Sequence, residues 1–165
     1  MQLDQLLDRC QRFEERAAAL YRSYAASAGD DQSFHALWSE LASEEDEHAH
    51  AIARARRRLE ATAGWQTRLD GWEEALTEVE RCLGTAEGLA AKAPGDRQLS
   101  AALELEMTEL DALRHVLLAT CHAHEENVSA MHAERLADAA IRLSDERQVR
   151  LQAALLRARA YLEHR

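Results

Sequence analysis

The sequence predicts an all-α protein: four long helices paired into two hairpins, with one long crossover between the second and third helices. Three observations carry this. One proline and six glycines in 165 residues cannot punctuate the turns of an all-β fold. Apolar residues recur at alternating steps of three and four, the helical period. Five of the six glycines and the only proline gather in residues 64–97, midway along the chain. Hydrophobic residues make up 47% and charged residues 30%, and the length suits one domain over 1–165.

The first helix spans about residues 3–28, on the seam Leu3, Leu6, Cys10, Phe13, Ala17, Leu20 and Tyr24. Gly29-Asp30-Asp31 ends it and offers an aspartate as N-cap of the second helix. That helix runs from about Gln32 to Thr62 with Phe34, Leu37, Trp38, Leu41, Ile52 and Leu59 inward, and Gly64 stops it. In the glycine-rich middle a short helix is expected from about Gly71 to Leu83, the rest being connector. A third long helix follows from about Leu99 to His122, with Leu99, Leu103, Leu110, Leu113, Val116 and Leu117 inward. His124-Glu125-Glu126-Asn127 reads as a turn, and a fourth long helix as about Met131 to Tyr161. Short links make antiparallel hairpins, and the middle segment is long enough to travel the length of a bundle. Two similar hairpins suggest an internal duplication. On helix lengths alone, an ordinary up-and-down bundle with a long connector fits slightly better.

Twenty basic and thirty acidic residues give a net charge of −10. That excludes a general nucleic-acid binder and an anionic membrane surface, and suits a protein that handles cations. No apolar run reaches the roughly 18–20 residues of a spanning helix. The first residues lack the basic and apolar regions of a signal peptide, so the expected compartment is the cytoplasm. Cys10, Cys82 and Cys121 are odd in number and far apart, which fits small buried hydrophobes in reducing surroundings. Cys121 and His124 are three apart, but nothing nearby completes a zinc site.

The acids that matter are those on apolar faces, where charge is rarely buried unless paired or bound to metal. On a helix the face-mates of residue i are i±3, i±4 and i±7. Glu14 has Leu7, Cys10, Ala17 and Tyr21 for company, whereas Glu15 has Asp8, Gln11 and Arg22. Glu45 has Trp38, Leu41, Ala49 and Ile52, with His48 one turn on, whereas Glu47 has Glu40, Ser43, His50 and Arg54. Glu45 and His48 therefore form an inward Glu-x-x-His, a spacing that lets a carboxylate and an imidazole reach one cation. Glu106 and Glu109 repeat the anomaly on the third long helix, while Glu104 faces solvent. Oxygen ligands with one nitrogen suit iron or manganese, and zinc next. His35 and His132 lie near helix starts. His50, His122 and His124 fall on polar faces, and His115 reads as a hydrogen-bonded bundle residue.

These residues resemble rubrerythrin and the wider ferritin-like di-iron carboxylate family. The first hairpin carries the match, with Glu14-x-x-Ala17-x-x-x-Tyr21-x-x-x-Ala25, then Phe34, then Leu41-Ala42-Ser43-Glu44-Glu45-Asp46-Glu47-His48-Ala49. The resemblance is good over residues 10–60 and fair over 99–117. It implies a ferritin-like four-helix bundle and Glu14 as a carboxylate ligand. It further implies Glu45 as a bridging carboxylate, His48 as the nitrogen ligand, and Glu106-x-x-Glu109 as the paired carboxylates of the third long helix. It also implies iron, one ion or two, that reacts with peroxide or dioxygen or is itself oxidised from Fe(II). Tyr21, seven residues from Glu14, would hydrogen-bond a ligand carboxylate during that chemistry. By the same analogy the chain forms a homodimer.

The fourth long helix departs from the family. One register places Glu146 and Val149 where a second Glu-x-x-His belongs; another places Arg147 and Arg150 there. With Glu146 inward, two metals bind asymmetrically; with Arg147 inward, its guanidinium pairs with Glu106 and Glu109 instead. The chain has no CxxC pair of the kind that feeds electrons to a rubrerythrin centre, so an enzyme of this type would need a separate electron donor. Three readings follow: a metal-dependent oxidoreductase, an iron-binding or storage protein, and a structural bundle whose metal site has decayed.

Overall fold

A computed structural model describes residues 1–61, 72–89 and 93–120, the last stretch with side chains through residue 108. Every element there is helical: α1 (Leu3–Ser27), α2 (Gln32–Glu60), α3 (Trp72–Gly88) and α4 (Gly95–Thr120). The chain divides into two compact units, Met1–Ala91 and Lys92–Arg165. The expected turn at 124–127 and the fourth long helix lie outside the described residues.

The first unit is built on α1. Its entry is a capping box: the Gln2 backbone N–H donates to Gln5 Oε1 at 3.1 Å, and the Gln2 side chain accepts from the N3 backbone. Gly29 ends it at φ +59°, the left-handed conformation that glycine adopts without steric cost. Asp31 then caps α2, its carboxylate accepting from the backbone N–H of Ser33 and Phe34 at 3.1 Å each. The four-residue link between the helices makes α1 and α2 antiparallel. Arg22 pairs with Asp46, and Arg56 lies 3.6 Å from Asp8, near opposite ends of the hairpin. Both pairs are half exposed, so they help set register more than they stabilise.

Cross-helix packing fixes the same register. Tyr21 stacks on Trp38 with centroids 5.7 Å apart, and Tyr24 meets the same indole edge-on at 5.2 Å. Trp38, Tyr21, Tyr24 and Leu41 are wholly buried. Phe34, Leu37, Ile52 and Leu59, expected inward, are only half buried on α2. Their helical spacing places them to the side of the Trp38–Leu41–Glu45 line that meets α1.

The described part of the middle of the chain is more helical than the sequence suggests. The expected short helix over Gly71–Leu83 is instead α3, Trp72–Gly88, which continues through Gly84. Leu76, Val79, Cys82, Leu83 and Ala86 are buried, and this apolar seam outweighs one exposed glycine of low helix propensity. α3 packs on α1 and runs in the same direction. The Met1 amine lies 3.2 Å from Glu73, Arg16 holds Glu87 in a two-point clamp at 2.9 and 2.8 Å, and the Tyr24 hydroxyl donates to Ala86 O at 2.9 Å. Arg16 also reaches Glu80, and these carboxylates raise its pKa further above the ordinary guanidinium value. α4, in the second unit, begins four residues before the expected Leu99. The Pro94 carbonyl accepts from Arg97 and Gln98 N–H and starts the helix. Leu99, Ala102, Leu103 and Leu105 are buried along it.

Two substitutions test the packed state of α3. Leu83 is wholly buried, so Leu83→Ala should lower the unfolding free energy by about 2–5 kcal/mol. At Gly84 an added methyl meets nothing within 4 Å, so Gly84→Ala should raise it by about 0.5–1 kcal/mol. Urea unfolding of the full chain reads both; a neutral Leu83→Ala would mean that α3 is not packed in solution.

Candidate metal centre

Glu14 projects from the middle of α1 and Glu45 from the middle of α2, where flanking apolar residues would otherwise meet. They are 2% and 1% exposed, a degree of burial that carboxylates seldom tolerate alone. His48 stands one turn beyond Glu45 and is 22% exposed. Its Nδ1 lies 2.8 Å from Glu45 Oε2, a hydrogen bond, and 3.5 Å from Glu14 Oε2. Glu14 Oε2 is itself fully buried and makes no hydrogen bond. One ligand atom from each of the three residues falls within 4.8 Å of the others, and they form the only such group of three or more among the described residues.

The antiparallel register accounts for the meeting. Tyr21 is seven residues after Glu14, and Trp38 is seven before Glu45. The stacking that aligns Tyr21 with Trp38 therefore brings Glu14 level with Glu45, two turns or about 10 Å away along the hairpin. Glu15 and Glu47, the sequence neighbours assigned to solvent, are exposed, as are His35 and His50.

The electrostatics are those of a charge trap. Burial, and then the nearby Glu45 carboxylate, push Glu14 up from 4.5 to about 8, while the His48 ring opposes them. Burial pulls the His48 imidazole down, but the adjoining Glu14 and Glu45 carboxylates outweigh it and raise it well above its ordinary 6.5. Near neutral pH the trio therefore holds protons where a cation would otherwise sit. Such an arrangement can bind a divalent ion, with proton release, or stand as a buried hydrogen-bonded triad.

The other expected ligands divide. Glu106 on α4 is 3% exposed, as its apolar face-mates predict, and Glu104 is exposed. Both belong to the second unit. The side chain of Glu109 and all of Glu146, with the alternative Arg147, lie outside the described residues, as do Cys121, His122, His124 and His132. Tyr21 is buried against Trp38. Cys10 and Cys82 are buried, as expected of small hydrophobes. Trp38, with its indole Nε1 buried and without a hydrogen-bond partner, is the structural residue whose importance is least visible from sequence. Its spacing of seven from Glu45 is the available signal.

Against family models, curated proteins and solved structures, the chain has no match. No described helix is long and apolar enough to cross a membrane.

The raised protonation has a sign that can be measured. Glu14 carries its proton in the folded chain up to about pH 8 but loses it near 4.5 when unfolded. His48 shifts in the same direction from 6.5. In both cases the folded chain holds more protons, so stability falls as pH rises. In the presence of chelator, thermal unfolding should occur at progressively lower temperature from about pH 5 to 8, and Glu14→Gln should flatten that slope. A wild-type slope that Glu14→Gln leaves unchanged would remove Glu14 as its source.

Proposed function

We propose that this chain is a metal-binding protein of ferritin-like type, with Glu14, Glu45 and His48 as ligands and iron as the favoured metal. The observation that carries the reading is the convergence of two fully buried carboxylates and one imidazole nitrogen, with Glu14 Oε2 left without a hydrogen bond. A divalent ion would balance the two carboxylates and use the lone pair of Nδ1, the nitrogen that already faces them. Two oxygens and one nitrogen are a donor set suited to iron or manganese.

The course of the chain supports the same reading. α3 runs beside α1 from the end holding Met1 to the end holding Tyr24, the path that a single-crossover bundle requires of the segment between its second and third long helices.

We extend the proposal to an oxidoreductase acting on peroxide or dioxygen, or on Fe(II) itself. Bound iron would supply one-electron chemistry. The protein's own contribution is to hold Glu14 and Glu45 in an apolar seam, to release their shared protons as the ion enters, and to present Nδ1 rather than Nε2. Tyr21 and Trp38 close the seam on the side of the hairpin turn, and His48 is the partly exposed member of the trio.

Purified protein should retain iron or another transition metal, and the Glu45→Ala, His48→Ala double variant should lose it; equal metal content in a folded double variant would end the assignment. Because protons must leave, affinity for Fe(II) or Mn(II) should rise from pH 6 to 8. Consumption of peroxide or dioxygen by the Fe(II) protein distinguishes an oxidoreductase from a storage or buffering protein, and Tyr21→Phe should slow it without changing metal content.

A further inference from the structure

We infer that the centre takes a single divalent ion, held by the α1–α2 hairpin alone through Glu14, Glu45 and His48 Nδ1. This rests on the metal-binding reading above and fixes its stoichiometry and its source of ligands.

Geometry is the first support. Adjacent ligand atoms around one six-coordinate ion, at metal–ligand lengths of about 2.1 Å, stand about 3 Å apart. The Nδ1 of His48 lies 2.8 Å from one carboxylate oxygen and 3.5 Å from the other, and all three ligand atoms lie within 4.8 Å of one another. The two edges at His48 suit one face around one ion, and closing the carboxylate edge to about 3 Å completes it.

Charge is the second. Two carboxylates and a neutral imidazole sum to −2, which one divalent ion cancels in a buried seam. A second ion beside it would bring two further positive charges into the same low-dielectric space, where uncompensated charge is costly. Among the described residues no fourth His, Cys, Asp or Glu joins this cluster.

The third support is the ligand inventory. A second centre of the same chemistry needs its own imidazole one turn from a carboxylate. The sequence positions that would supply it in residues 131–161 read Glu146 with Val149, or Arg147 with Arg150, and neither pair contains a histidine. His132 is fourteen residues from Glu146, far from the three-residue spacing of a Glu-x-x-His. The first hairpin, in contrast, is complete in itself. All three ligands sit on two consecutive helices whose link is fixed by the Gly29 turn and the Asp31 cap. Three protein ligands leave about half of an octahedral shell open to solvent or to a small exchangeable molecule.

The test uses the full chain, stripped with chelator and titrated with Mn(II) alone under calorimetry, with electron paramagnetic resonance of the loaded sample. One ion per chain is expected, with the six-line spectrum of an isolated Mn(II). Glu45→Gln, which preserves the shape of the side chain, should weaken binding at least tenfold, as should His48→Ala, while both keep the wild-type far-ultraviolet circular dichroism. Glu106→Gln should leave affinity within about twofold, as for a site not shared. Two ions per chain, an exchange-coupled spectrum, half an ion per chain, or a large loss in Glu106→Gln would overturn the single-ion inference while leaving metal binding intact. No Mn(II) or Fe(II) uptake by the folded wild type would overturn both.

Discussion

Two carboxylates facing each other across a helical seam repel, and each loses the water that would stabilise its charge. Glu14 and Glu45 are in this position, with 2% and 1% of their surface exposed. The packing around them is workable only if positive charge lies between them, as protons, as the His48 imidazolium or as a metal ion. The partly exposed His48 lies beside both carboxylates and still reaches solvent. The central question about this protein is which cation fills that role, and protons and metal compete for the same oxygens and the same Nδ1.

The rest of the first unit keeps those three side chains in place. A stacked Tyr21–Trp38 pair sets the register of α1 against α2 two turns from the carboxylates. Aromatic rings suit this task because they bury large areas in few conformations. Along α1 lies α3, with Leu76, Val79, Leu83 and Ala86 buried, and Tyr24 ties the two helices by donating to Ala86 O. Ion pairs such as Arg22–Asp46 and Arg16–Glu87 are half exposed and contribute orientation more than free energy. The acidic excess of the chain is therefore of two kinds. Among the described residues most of it, Glu15 and Glu47 included, is solvated helix surface; the part that constrains the fold is buried.

Much of the helical architecture was legible because it rests on local rules. The three-and-four spacing located α1 and α2, and Gly29 with Asp31 marked the turn between them to within a residue. The face-mate comparison separated Glu14 from Glu15 and Glu45 from Glu47, since the sign of that contrast depends only on helical geometry. What was not legible depended on tertiary packing. Nothing local outweighs Gly84 in favour of a helix as long as α3; its seam is stabilised only once α1 lies beneath it. Phe34, Leu37, Ile52 and Leu59 fit an apolar stripe, but periodicity alone does not say which edge of a broad stripe is covered. The meeting of Glu14 with Glu45 needed the hairpin register, which the Tyr21 and Trp38 positions encode only in retrospect. Glu106 was correctly read as buried, whereas the expectations for Glu109 and Glu146 fall outside the described residues.

The most direct measurement is an anomalous difference map from crystals of the full chain grown with Fe(II) or Mn(II) and collected at the edge of the metal supplied. One peak within bonding distance of Glu14, Glu45 and His48 Nδ1 is the expected result. A map with no peak there, with Glu14 and His48 still joined by protons alone, would show that the buried carboxylates are balanced without metal.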